Sequence, residues 1–173
     1  MPATITIIDA ASLPARDREE VARTVGRVLA SPVRFTAPEL DLRQAFDTSR
    51  RQYNSTVLLA QLLTLPHAPE EKLVAVVDVD LFIPVLTFVF GEAQLDGRAA
   101  IVSRHRLANE FYGIEGDLIL ERERLEKEII HELGHAFGLY HCRQFECVMR
   151  SSTYVEEVDV KRVEMCERCG GLL

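Results

Sequence analysis

Residues 131–142 read HELGHAFGLYHC, three histidines, one glutamate and one mid-motif glycine at spacings that point to a metal site. His131 and His135 lie four apart in the longest helical pattern of the chain, ERERLEKEIIHELGHAFGL from Glu121. Four residues turn an α-helix by about 400° and advance it about 6 Å, so the two imidazoles project about 40° apart. Both can then reach one ion. Glu132 stands about 100° round from His131, beside such an ion without ligating it, where a base for a metal-bound water belongs. Gly138 lets the helix stop, because glycine adopts the left-handed conformation that ends helices, and His141 can then turn back towards the same ion. Three neutral histidines leave zinc a fourth position for water, which marks a catalytic rather than a structural site. The five-residue HExxH pattern is only suggestive by itself. The third histidine with glycine midway separates it from a helix of core histidines.

The only four cysteines follow at once: Cys142 and Cys147 in CRQFEC, then Cys166 and Cys169 in CERC. Two pairs bridged by an intervening segment match a tetrahedral four-thiolate zinc site. Two disulfides or four unrelated thiols are the rival readings, and a reducing compartment disfavours the first. The last thirty or so residues bury little core alone, and a metal could anchor them beside the histidines. Cys142 directly follows His141, so loss of the second ion should damage the first. Met149 taken alone reads as core filler.

Upstream, strands alternate with helices, which is the α/β pattern. TITIIDA and VRFTA read as strands, with a helix opened by Pro14 between them that carries Val21, Val25, Val28 and Leu29 on one face. A second helix is expected through RRQYNSTVLLAQLLTL, stopped by Pro66. KLVAVVDVDLF reads as a strong strand ending near Asp80, and TFVFGEA and RAAIVS as two more around an Asp96-Gly97 turn. His67 and His105 read as solvated surface residues without a role, and Asn54-Ser55-Thr56 is discarded as a glycosylation acceptor. At 173 residues with a net charge of −7, one domain is expected, without the basic face that nucleic acid or an anionic membrane requires. The first twenty residues do not read as a signal peptide, and no apolar run is long enough to span a membrane, so the cytoplasm is the expected location.

HExxHxxGxxH with a methionine close behind resembles the metzincin metallopeptidases. The added C…C-x-M and terminal CxxC resemble one branch, the archaemetzincins (archaelysins). The resemblance implies a zinc-dependent peptidase acting on peptide or protein substrates. Its catalytic zinc would be held by His131, His135 and His141, with Glu132 as general base and Met149 as the turn methionine forming an apolar floor. Cys142, Cys147, Cys166 and Cys169 would map onto a second, structural zinc, giving two ions per chain. The specific match runs from His131 to Cys169, and the sixteen residues between Met149 and Cys166 are one fewer than the family's spacing. The implied fold is a metzincin-like twisted mixed β-sheet with backing helices. Residues 1–138 would form an amino-terminal α/β subdomain including the active-site helix, and 139–173 a small zinc-stapled carboxy-terminal subdomain. In related peptidases an edge strand runs antiparallel to substrate, a role expected here for TFVFGEA. The alternative is a zinc-stabilised peptide-binding module with little or no catalysis. Retention of Glu132 argues against it, since holding metal does not require that residue.

Overall fold

A computed structural model describes residues 3–173. β1 (Ile5–Asp9) leads into α1 (Ala15–Val28), β2 (Val33–Thr36), α2 (Leu42–Ala45), β3 (Phe46–Asp47), β4 (Gln52–Asn54) and α3 (Ser55–Leu62). β5 (Lys72–Val77), β6 (Leu81–Phe82), β7 (Gly91–Ala93) and β8 (Ala99–Ser103) follow. After a 3-10 turn at Asn109–Tyr112 come α4 (Leu118–Ala136), α5 (Val155–Asp159) and α6 (Glu167–Gly170). The fold is the mixed α/β type expected from the alternation.

Five strands form the main sheet in the order β2-β1-β5-β8-β7. Its first four strands are parallel, and β7 runs antiparallel to β8 at the edge. The buried strands read as continuous Val, Ile and Ala runs because both faces are covered. Ile7, Val74, Val76 and Val102 belong to the core that Val21 and Val25 of α1 share with Leu125, Ile129 and Leu133 of α4. Ile8, Ala75, Val77 and Ile101 point the other way, into the core shared with Leu58 and Leu62 of α3. β3, β4 and β6 make a second, small sheet. Among the described residues no helix is long and apolar enough to cross a membrane.

Four expectations change in detail. The helix sought over residues 50–65 is shorter: Gln52–Asn54 are strand, and the Asn54 side chain accepts from the Thr56 amide at 3.0 Å to start α3. KLVAVVDVDLF is divided, because Leu81–Phe82 pair with β4 rather than continuing β5. Of TFVFGEA only Gly91–Ala93 pair with β8 at the sheet edge, while Val89 makes a lone bridge to Leu81. α4 starts three residues before Glu121, where Asp117 accepts from the amides of Ile119 at 3.1 Å and Leu120 at 3.0 Å.

Candidate metal centre

α4 packs on β8 and β7 and delivers His131, Glu132 and His135 at its carboxyl end. Leu133 and Ala136 face the core, while the histidines lie on the adjoining face towards a cavity. Gly138 takes φ +95°, the left-handed turn expected of it, and the chain doubles back so that His141 joins the pair. One ring nitrogen from each of the three histidines lies within 4.8 Å of the others. The Nε2 atoms of His131 and His135 are 3.2 Å apart, close to the ~3.3 Å edge of a tetrahedron with zinc–nitrogen bonds near 2.05 Å.

The other nitrogens are committed. His131 Nδ1 donates to the Val148 carbonyl at 2.8 Å and His135 Nδ1 to the Leu139 carbonyl at 2.7 Å. A proton fixed on Nδ1 leaves the Nε2 lone pair for metal, which is how carbonyl partners orient ligating histidines. Burial lowers the pKa of all three imidazoles and keeps them neutral, with Lys161 opposing protonation as well. The donor set therefore fits zinc.

Glu132 is buried beside them. Burial, with Glu128 nearby, pushes its carboxyl well above the usual carboxylate range. It lies against the edge strand at Gly91, where an added Cβ would sit 2.7 Å from Glu132 Cγ and 2.9 Å from its Oε1. Met149 is fully buried below the helix, and a Cβ at Gly134 would collide with its sulfur. Met149 thus packs directly against the turn of α4 that carries His135.

The four cysteines form a second cluster with Sγ atoms within 4.8 Å of one another and no disulfide. Cys142 and Cys166 Sγ are 3.7 Å apart, near the ~3.8 Å edge of a tetrahedron with zinc–sulfur bonds of about 2.3 Å. The Gln144 amide donates to Cys142 Sγ and the Cys166 amide to Cys147 Sγ, both at 3.4 Å. These four thiols could hold an ion of their own.

Residues 36–173 match the sequence model of Peptidase family M54. The chain belongs to that family. An archaemetzincin from Methanocaldococcus jannaschii is 41% identical over 133 residues, which cover 76% of this chain and 72% of that one. The crystal structure of a zinc-dependent peptidase from Methanocorpusculum labreanum superposes with a TM-score of 0.87 at 31% identity, covering 97% of this chain and 98% of that one. The archaemetzincin structure from Methanopyrus kandleri gives 0.86 at 32% identity, covering 99% and 93%. The archaemetzincin resemblance read from the motif is thus borne out, as is the peptidase class.

Several residues that build the site of this M54 peptidase lie outside the motif. Lys161 has a fully buried side chain whose Nζ is 3.2 Å from Glu128 Oε1 and 3.5 Å from the Val148 carbonyl that also holds His131. Arg124, on the same helix, grips Asp159 of α5 through Nε at 2.6 Å and Nη2 at 2.8 Å. Only Gly91 left a sequence signal, as a glycine inside a strand pattern, which often marks close backbone approach. His67 and His105 are half-buried rather than solvated. His67 lies between the Leu65 carbonyl and Arg98, and His105 packs edge-on against Phe111.

Proposed function

We propose that this M54 peptidase cleaves peptide bonds at a zinc centre held by His131, His135 and His141, with Glu132 as general base. The observation that carries the reading is the convergence of three neutral imidazoles, two with their Nδ1 protons committed to carbonyls, beside one buried carboxylate. Zinc bound there would supply Lewis acidity, activating water and polarising the scissile carbonyl. Glu132 would take the water's proton and return it to the leaving amine, and burial, which raises its pKa well above the usual carboxylate range, suits a group that must hold a proton between those two steps. The carbonyls of Val148 and Leu139 keep both imidazoles from rotating during turnover. The β7 edge would offer main-chain hydrogen bonds to an extended substrate.

Cys142, Cys147, Cys166 and Cys169 would hold a second, structural zinc, making two ions per chain. Four thiolate ligands suit the reducing cytoplasm, and the net charge of −7 offers nucleic acid or an anionic membrane no basic face. We divide the chain functionally at residue 138, with the catalytic helix before it and the thiolate staple in 139–173. Val148, Met149, Val155 and Val158 share the core of the first part, so both pieces make one catalytic domain.

The test is zinc stoichiometry with peptide hydrolysis on the same preparation, for wild type and Glu132→Gln. Two zincs in each, with turnover about 10²–10⁴-fold lower in the variant, is the expected result. A zinc-loaded Glu132→Gln protein that cleaves at the wild-type rate would sink the assignment of the base. Two zincs without cleavage by wild type would favour the binding module.

A further inference from the structure

The cavity facing the histidines measures about 470 Å³, and the polar residues in its wall that the reaction above leaves without a task include Glu128 and Ser152 beside Thr87, Ser151 and Thr153. Glu128 lies one helical turn before Glu132 on α4 and is only 3% exposed. Its Oε1 accepts from Lys161, and no donor among the described residues reaches its Oε2. The Ser152 hydroxyl is buried without a partner. Buried polar atoms are nearly always hydrogen-bonded, and an exception in a cavity wall points to a ligand that completes it. No lysine or arginine lines this cavity, and Lys161 itself stays out of its wall. The remaining wall is largely apolar, with Ile83, Phe88, Val89 and Phe90 contributing.

Resting on the peptidase reading, we propose that Glu128 is a specificity-determining residue, and that with Ser152 it selects a substrate side chain that is long, apolar along its stem and cationic at its tip. Lysine and arginine answer that description, because their methylene stems lie along apolar surface while the charged head seeks a polar partner. Arginine fits better, since its planar fork offers several donors to Glu128 Oε2 and Ser152 Oγ at once. Methionine would leave both oxygens unpaired. An acidic side chain would meet the carboxylate of Glu128. A carboxylate has lone pairs enough to serve Lys161 on one oxygen and a substrate cation on the other.

The experiment uses end-blocked peptides of one sequence, with arginine, lysine, methionine or glutamate at each position around the cleaved bond. Dissociation constants are measured by fluorescence anisotropy on the zinc-loaded Glu132→Gln protein, and kcat/KM on wild type. At one position arginine and lysine should exceed methionine by about tenfold or more, and glutamate should fall below it by a similar factor. Adding Glu128→Gln, with zinc content checked, should shrink the arginine advantage to about threefold or less. Ser152→Ala leaves the Glu128–Lys161 pair intact, and should weaken the arginine peptide severalfold while sparing the methionine one. A methionine preference in wild type, an arginine preference untouched by Glu128→Gln, equal losses on both peptides in Ser152→Ala, or no measurable arginine binding would each overturn the assignment. Cleavage without charge preference would remove this inference and leave the peptidase reading standing. Discrimination in binding without cleavage would do the reverse.

Discussion

Gly91 gives up a side chain so that Glu132 can lie against the edge strand. A methyl group there would meet Glu132 Cγ at 2.7 Å and the Ile101 carbonyl at 2.6 Å, and the carboxylate is the more movable of the two. Gly91→Ala should therefore keep its metal and lose about 10–100-fold in kcat/KM through misplacement of the base. Metal analysis beside steady-state kinetics reads both, and an alanine variant of wild-type efficiency would refute this account of Gly91. The same residue marks what a sequence can disclose about a site. His131, Glu132, His135 and His141 are legible because their donor types recur at helical spacing within one stretch. Gly91, Glu128 and Lys161 act across space: a strand against a helix, and the segment after α5 against a turn of α4. Gly91 leaves only the faint mark of a glycine inside a strand pattern, and nothing local distinguishes Glu128 and Lys161 from surface charges.

Between elements, Glu71 binds three strands together at the end of the sheet remote from β7. It sits just before β5 and accepts from Thr6 of β1, from Arg34 of β2 at 2.6 Å and from the Ala68 amide at 2.9 Å. Burial alone would raise its pKa, yet those donors together hold it down to about 2. A carboxylate depressed by folding contributes stability above its unfolded pKa near 4.5, and that contribution is lost as pH falls towards 2. The wild type should thus lose stability across pH 5 to 2, and Glu71→Gln should be weaker at pH 7 with a flatter profile in that window. Urea melts at stepped pH measure this, and parallel profiles would contradict it. The elements were unevenly legible for a related reason. β1, β5 and β8 are buried on both faces and announce themselves as apolar runs. β3 and β4 are two and three residues long, and the helical spacing of Val57, Leu58 and Leu62 masks the strand just before it.

At the scale of the molecule, the tail is tied to the rest by core packing and by ion pairs, while the cysteine cluster draws residues 142 to 169 together within the tail itself. Val148, Met149, Val155 and Val158 are buried in the core that α4 shares with the sheet, and the Arg124–Asp159 and Lys161–Glu128 pairs hold α4 to the segment around α5. A hydrogen bond from the Cys169 backbone lowers the Cys166 thiol to about 7 while burial raises those of Cys147 and Cys169, so Cys166 is the readiest of these three to give up its proton to metal. Cys166→Ser should abolish the second zinc, lower the melting temperature by about 5 °C or more and weaken the histidine site, since Cys142 adjoins His141. Metal titration and calorimetry report these separately, and a variant with two tightly held zincs and unchanged melting would refute the staple.

The strand order has a consequence for any shortened version of the chain. β1 comes first in sequence but stands inside the sheet, between β2 and β5. A fragment lacking it would not merely lose a border. It would uncover the backbone of Lys72–Val77, an apolar row of unpaired amides and carbonyls of the kind that pairs with neighbouring molecules. The catalytic motif could be present in full in such a fragment, and the fragment would still be prone to aggregate before it could act.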